Sequence, residues 1–213
     1  MIIYYEDNEI IVIEKPYGVS SQESNGESVI SLLKKEGKDV FPVNRLDTQT
    51  TGVMVYAKTQ GAASALSLEI ANGGFYKEYL CVCHGKAPGS GEMTDLLYHD
   101  RLKNKSFVVD KKRAGVKEAK LEFWTQSVTN FKNNELSLLK IRLLTGRTHQ
   151  IRVQLSSKGH VLFGDGKYGA KDNDKIALHS HKIKFTHPKT KAKMEFSSLP
   201  SGEVWEVFGI KKD

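Results

Sequence analysis

The chain has 213 residues and a formal net charge of +7; 39% of its residues are hydrophobic and 27% are charged. These values are typical of a soluble globular protein with one sizeable core, in a single domain or in one domain with two lobes. The sequence also has no apolar run as long as a membrane-spanning helix, which excludes a membrane-spanning protein. The N-terminus lacks the basic region and apolar block of a secretory signal, so we expect a cytoplasmic protein.

Cysteine content and charge restrict the class further. The two cysteines, Cys81 and Cys83, are too close for an unstrained disulfide and lack the second pair that a zinc site needs, so we expect two reduced, partly buried thiols. The 32 basic against 25 acidic side chains favour a polyanionic partner such as nucleic acid. Basic residues concentrate at 101–120 and 182–193, although taken alone each cluster is more simply explained as a solvated face.

The spacing of apolar and turn-forming residues predicts more strand than helix. In chain order, strands are predicted at 2–5, 9–13, 40–45, 52–57, 75–84, 105–109, 119–127, 135–144, 176–186 and 194–197, and helices between Ser24 and Gly37, at 62–71 and at 148–157. Ser24 and Glu27 match a capping box for the first helix. Most strands are joined as hairpins, which indicates an α+β fold with a mixed, mainly antiparallel sheet and flanking helices. The loop at 86–91 is the expected boundary if residues 1–213 form two lobes.

One short segment, 44–52, places a carboxylate beside a guanidinium. Apolar residues lie on both sides of Asp47, so we expect it at a turn beside a buried strand pair. An ionised carboxylate in such a place needs a cationic partner, because desolvation disfavours its charge. The alternative is an aspartate that only caps a turn, which this Asp-Thr sequence would do well.

The predicted helix from Thr148 carries a second group of polar residues. His149 and Arg152 are three residues apart and share a face, so Arg152 could point inward. The spacing alone is equally compatible with an ordinary surface arginine.

These segments resemble the motifs of the RluA-type RNA pseudouridine synthase family, and the order and spacing of the matches extend over nearly the whole chain. The matching residues are Lys15-Pro16-Tyr17-Gly18, Arg45-Leu46-Asp47, Lys77 with Tyr79, the run 145–152, Gly164-Asp165, Tyr168-Gly169, Leu178-His179 and His187-Pro188. The resemblance implies a pseudouridine synthase-like catalytic domain with a central cleft.

The resemblance also implies roles for individual residues. Asp47 corresponds to the catalytic aspartate, Arg152 to its ion-pair partner and Tyr79 to the tyrosine that lies against the target uracil. Arg45 corresponds to a residue that supports an extruded nucleotide, although a local salt bridge to Asp47 competes with that role. Without the resemblance, a core tyrosine in a central strand would be the simpler interpretation of Tyr79. Further substrate contacts are expected at Arg147, His149 and Tyr168.

Two positions depart from the family pattern, and two other motifs have more than one interpretation. The positions of Asn44 and Val161 often hold histidine and proline in the family, which leaves substrate choice and loop geometry open. Residues 164–169 satisfy Gly-x-Gly-x-x-Gly, but no amphipathic helix follows, so we interpret them as a loop near nucleic acid and not as a dinucleotide site. His179 and His181 alternate on a strand without a carboxylate or thiol at ligand spacing, so we expect structural or RNA-contacting histidines and no metal.

The expected activity is isomerisation of uridine to pseudouridine in ribosomal or transfer RNA, without metal or organic cofactor, by a protein expected to be a monomer without membrane association. A non-catalytic RNA-binding protein with the same basic cleft is the alternative from another class. Aspartyl phosphoryl transfer is a weaker one, since Gln49 occupies the obvious place for a second carboxylate.

Overall fold

The computed structural model describes residues 1–212, and their contacts divide them into two compact units. The first unit contains Met1–Glu78 and His179–Pro200, and the second contains Tyr79–Leu178 and the segment from Ser201 onward. Residues 86–91, the loop expected as a lobe boundary, lie inside the second unit.

The elements follow one another along the chain with more strand than helix, as predicted. The strands are β1 (Ile2–Glu6), β2 (Ile10–Lys15), β3 (Phe41–Pro42), β4 (Thr51–Ala57), β5 (Tyr76–His84), β6 (Ser90–Asp100), β7 (Lys105–Val109), β8 (Val116–Phe131), β9 (Asn134–Leu143), β10 (Leu178–Thr186) and β11 (Lys193–Ser197). The helices are α1 (Val29–Lys35), α2 (Gln60–Ala71), α3 (Gln150–Ser157) and α4 (Glu203–Glu206), with a 3-10 helix at Gly166–Tyr168. Among these described helices, none is long and apolar enough to cross a membrane.

In the first unit the strand order is β1-β2-β4-β10, with β3 beside β4 and β11 beside β10. The pairing is antiparallel except between β4 and β10, which run parallel. Apolar side chains of β2, β4 and β10 pack with α2 in one core, which includes Val12, Val55, Leu66 and Ile183. Successive side chains of a strand point to opposite faces of the sheet, so every second apolar residue of these strands lies in that core.

In the second unit the strand order is β5-β9-β8-β6-β7, and the β6, β7, β8 and β9 pairs are antiparallel. Val82 and Leu138 share a core with Trp205 of α4. A smaller cluster joins Leu97 and Ala119 to Val153 of α3. The α+β class with a mainly antiparallel sheet is confirmed.

Some details of the sequence prediction were wrong. Of the strand expected at 40–45, only Phe41–Pro42 forms. The capping box lies four residues later than expected: Ser28 caps α1 and exchanges side-chain and backbone hydrogen bonds with Ser31. Strand β6 begins at Ser90, inside a stretch that its glycines had marked as loop. Both thiols are fully buried, not partly buried; burial raises the pKa of Cys83 to about 12 and that of Cys81 well above its usual range.

Candidate active site

The turn that carries Asp47 connects β3 to β4 in the first unit. The Thr50 amide donates to the Asp47 carbonyl over 2.9 Å, which closes the turn. Asp47 itself is half-buried, whereas Leu46 before it is buried and Arg45 is exposed. Asp47 lies at a turn, as predicted; of the expected buried strand pair, β4 is buried but β3 is exposed.

A serine from a preceding segment fixes the residue before Asp47. The Ser21 hydroxyl donates to the Leu46 carbonyl over 2.7 Å and accepts from the Leu46 amide over 3.2 Å. The Ser21 carbonyl in turn accepts a 2.7 Å hydrogen bond from the buried hydroxyl of Tyr56, on β4. Both backbone groups of Leu46 are therefore held by one side chain that is itself attached to the sheet.

A buried lysine fixes the residue after Asp47. The Lys15 side chain is fully buried, and its ammonium donates to the carbonyls of Pro16, Val19 and Thr48 over 2.8, 2.6 and 3.0 Å. Three carbonyl acceptors match the three protons of an ammonium group. Burial lowers the pKa of Lys15 to about 8, while the negative charge of Asp47 opposes that shift. Lys15 thus joins the 16–19 loop to the Asp47 turn and places a positive charge in the field of the carboxylate.

The glycine that ends the motif allows a close approach of two strands. Gly52 has φ +111°, and a Cβ on it would lie 2.3 Å from the Ser180 carbonyl oxygen, so only glycine fits. Ser180 and Gly52 are partners in the parallel β4–β10 pair. Beside them the buried His179 ring places Nδ1 2.7 Å from the Thr51 hydroxyl, and its Nε2 lies 2.9 Å from the Ser198 hydroxyl.

Arg152 lies on α3 in the second unit and is 3% exposed. Its Nε donates to Oδ2 of Asp165 over 2.7 Å, and its Nη2 donates to Oδ1 over 2.8 Å. This bidentate pair joins two buried charges, of which the carboxylate has no exposed surface. The arginine that the motif resemblance singled out is therefore an interior residue and not a surface one.

Tyr168 and His149 adjoin this ion pair. The Arg152 guanidinium carbon lies 5.2 Å from the centre of the Tyr168 ring. The Tyr168 phenol oxygen accepts from the Ser106 amide over 2.8 Å and lies 3.0 Å from Nδ1 of His149. Burial raises the pKa of the Tyr168 phenol. His149 adopts a left-handed backbone conformation, with φ 54°, at the start of α3.

The turn before α3 is fixed by Gln150. Its side-chain oxygen accepts from the Thr145 hydroxyl over 2.7 Å and from the Arg147 amide over 3.0 Å, while its amide group donates to the Lys120 carbonyl. The Arg147 Nε donates to the Glu118 carbonyl over 2.8 Å. Arg147, which is half-exposed just before α3, is therefore hydrogen-bonded to β8.

The remaining catalytic candidate, Tyr79, lies on β5 in the second unit and is 5% exposed. The second unit brings together Arg152, His149 and Tyr168, with Arg147 on the adjoining turn, and the first unit holds Asp47 and Arg45. The structure gives Lys15, Ser106 and Asp165 hydrogen-bonding roles that the sequence analysis did not assign. Lys15 and Asp165 stood within quoted motifs, but nothing in their local sequence indicated their partners.

Comparisons with known proteins place the chain in a family. The family described as RNA pseudouridylate synthase matches residues 9–157. An uncharacterized RNA pseudouridine synthase of Mycoplasma pneumoniae is 34% identical over 92% of this chain, and ribosomal large subunit pseudouridine synthase C of Buchnera aphidicola is 32% identical over 90%. The chain spans 65% of the length of each of these relatives.

A solved structure supports the same fold. Human RNA pseudouridylate synthase domain containing 1 superposes with a TM-score of 0.80 at 20% identity, over 94% of this chain and 83% of the human chain. The matched family region covers most of the chain and contains both the Asp47 turn and the Arg152 helix. On this evidence the chain belongs to the RNA pseudouridylate synthase family, as an RluA-type member.

Proposed function

We propose that this protein isomerises specific uridines in structured RNA to pseudouridine, with Asp47 as the catalytic carboxylate. The observation that carries the proposal is that the family match, residues 9–157, includes all three catalytic candidates, Asp47, Tyr79 and Arg152. The anchoring of the Asp47 turn on both sides supports it, because a reacting group gains from a fixed position.

The proposed reaction conserves all atoms of the nucleotide. The bond from uracil N1 to ribose C1′ breaks, the base turns within the site, and a bond from C5 to C1′ forms; C5 loses a proton and N1 gains one. Asp47 acts as a nucleophile at C1′ or at C6, and both descriptions fit a carboxylate held at a turn. No electrons are exchanged with a cofactor, so this chain's own side chains suffice.

Each other candidate has a physical role in the proposal. Arg152 keeps Asp47 ionised by donating a hydrogen bond to its charged carboxylate. Tyr79 offers a flat apolar face for stacking on the uracil and a hydroxyl that can help to remove the C5 proton. Arg45, exposed beside Asp47, supports the extruded nucleotide. Arg147, His149 and Tyr168 contact the RNA around it.

For the target we propose RNA of the ribosomal large subunit, in the cytoplasm, with the protein acting as a monomer. The Buchnera relative bears the name of a large-subunit enzyme, which favours this RNA over transfer RNA. Basic side chains around the site would hold phosphates without reading sequence.

Release of tritium tests the proposal. Large-subunit RNA from cells that lack this protein, labelled with tritium at uracil C5, is incubated with the wild-type protein or with Asp47→Asn. We expect release by the wild type and a loss of roughly 1,000-fold or more in the variant, whose fold and RNA affinity persist. Asp39→Asn, at an exposed aspartate of the same unit, is the matched control and should retain full activity.

The same experiment separates the alternative function. A non-catalytic RNA-binding protein would bind the labelled RNA and release no tritium with any variant. Release by Asp47→Asn at the wild-type rate would remove Asp47 from the chemistry while leaving the isomerase activity in place.

A further inference from the structure

In the buried ion pair of the second unit, Asp165 does more than balance the charge of Arg152. Both oxygens of the carboxylate accept from one edge of the Arg152 guanidinium, over 2.7 and 2.8 Å. Such a fork fixes the plane of the guanidinium as well as its distance. The Nη1 group lies in the same plane and outside the paired edge, so the pair also fixes the direction in which Nη1 donates.

Asp165 is itself held firmly. Its amide donates to the Leu162 carbonyl, and its carbonyl accepts from the amides of Tyr168 and Ala170, over 3.0 to 3.1 Å. Gly164 before it has φ +76°, and a Cβ there would lie 2.3 Å from the Lys175 carbonyl oxygen. The carboxylate is therefore presented by a rigid loop, not by a flexible side chain on the surface.

The face of the guanidinium is covered as well. The ring of Tyr168 stands 5.2 Å from the guanidinium carbon, and its phenol is held by Ser106 and His149. Ser106 also donates to the Thr148 carbonyl over 2.6 Å, next to the start of α3. Asp165 and Tyr168, both of the 164–169 loop, therefore contact Arg152, and Ser106 of β7 holds the Tyr168 phenol in place.

The electrostatics of the pair carry the inference. One positive and one negative charge lie side by side with almost no exposure, so together they present little net charge to a group beyond them. We infer that Asp165 is a positioning residue that makes Arg152 a directed hydrogen-bond donor, and not an unbalanced positive charge, toward the reacting carboxylate. This inference rests on the proposed function, in which Arg152 serves Asp47.

The two roles of Arg152 make opposite predictions for Asp165→Asn. The variant removes a negative charge, so a purely electrostatic Arg152 would serve Asp47 as well as before or better. An asparagine presents one acceptor where the arginine edge needs two, so a directed donor loses its orientation. We expect the single-turnover rate of tritium release to fall by roughly 100-fold, as for a misplaced catalytic group, with RNA affinity unchanged.

A double-mutant cycle gives the sharper result. Arg152→Lys keeps the charge but lacks the planar fork, and we expect Asp165→Asn combined with it to be no slower than the slower single variant. Asp172→Asn is the control, because Asp172 supports the same loop by accepting from the Gly164 amide and pairs with His84, not with Arg152. It should retain the wild-type rate. A wild-type rate in Asp165→Asn would overturn the inference. So would a double variant whose loss of rate equals the product of the two single losses.

A spectroscopic measurement decides the matter if Asp165→Asn does not fold or if the wild type releases no tritium. In the full-length wild type, the Nε–H signal of Arg152, identified by its loss in Arg152→Lys, should be protected from exchange with water. We expect the same protection in Asp47→Asn, because Asp165 holds that edge. Loss of protection in Asp47→Asn would make Asp47 the anchor and overturn the inference. Failure of tritium release alone refutes the proposed function and leaves this result standing.

Discussion

The Asp47 turn and the Arg152 helix are held in place by different kinds of interaction. Leu46 and Thr48, the neighbours of Asp47, are fixed through their backbone groups by Ser21 and Lys15. Arg152 is instead fixed through its own side chain, by a carboxylate that grips one edge of it.

The contrast fits the roles that we propose. Backbone hydrogen bonds on both sides of a reacting group keep its turn in place while its carboxylate takes part in the reaction. A group that only directs and stabilises is best held directly, because any loss of orientation weakens its hydrogen bonds. The burial follows the same division: Asp47 is half-buried, while Arg152 and Asp165 are almost completely buried.

The largest expected effect concerns the two glycines that support these regions. Gly52→Ala and Gly164→Ala each place a Cβ 2.3 Å from a backbone oxygen at a positive φ. We expect each to lower the free energy of unfolding by about 3 kcal/mol or more, measured by urea denaturation. Gly61→Ala is the control, since Gly61 lies in α2 with open space around it and should gain about 0.5 kcal/mol. Tolerance of both variants would mean that neither region depends on the close approach described.

A smaller effect is expected at Lys15, which joins the 16–19 loop to the Asp47 turn. Lys15→Met leaves three carbonyls without their donor, and we expect a loss of roughly 1 to 3 kcal/mol in the free energy of unfolding at neutral pH. The rate of tritium release should fall too, because the Asp47 turn loosens, whereas the Arg152 Nε–H protection should persist. If Lys15→Met reduced the rate of tritium release and the Arg152 Nε–H protection equally, the two regions would not be held independently.

The Lys15 effect should depend on pH, with a definite sign. The pKa of Lys15 is about 8 in the folded chain and 10.5 as its ordinary value. Below about pH 8 both states carry the proton, and the cost of burying the charge is constant. Between these values only the unfolded chain binds it, so the free energy of unfolding of the wild type should rise with pH relative to Lys15→Met. A difference that stays flat from about pH 7 to about pH 10.5 would contradict the lowered pKa.

The smallest effect concerns the exposed basic segment between β7 and β8. Lys112 and Arg113 are exposed, and the Arg113 guanidinium stacks 5.0 Å from the Tyr98 ring. Removing either should weaken RNA binding and reduce its salt dependence by about one unit for each phosphate that is no longer neutralised. Lys132→Ala is the control, because Lys132 pairs with Glu203 at the β8–β9 turn. An unchanged salt slope in both variants would place the segment outside the RNA interface.

Local sequence predicted much of the fold. The ends of α2 at Asn72 and of α3 at Lys158 and the strand alternation of β5 follow from short-range rules that the sequence displays. The cap of α1 was misplaced because Ser24 and Glu27 fit the usual spacing, whereas the real partner of Ser28 is another serine. Strand β6 was missed because few of its residues are buried.

The site was predictable only as far as its motifs were. Asp47 at a turn followed from its apolar flanks. The partners of Lys15 and Arg152 did not, because they depend on contacts across 33 and 13 residues that no local pattern encodes. A fully buried lysine is also against expectation for that residue type, so sequence alone favours an exposed Lys15.

The most direct test of the account is to map pseudouridine across large-subunit ribosomal RNA in cells that lack this protein. The account predicts that one or a few pseudouridines are missing, and that the wild-type gene restores them while Asp47→Asn does not. Restoration by Asp47→Asn, or an unchanged map in the absence of the protein, would contradict it.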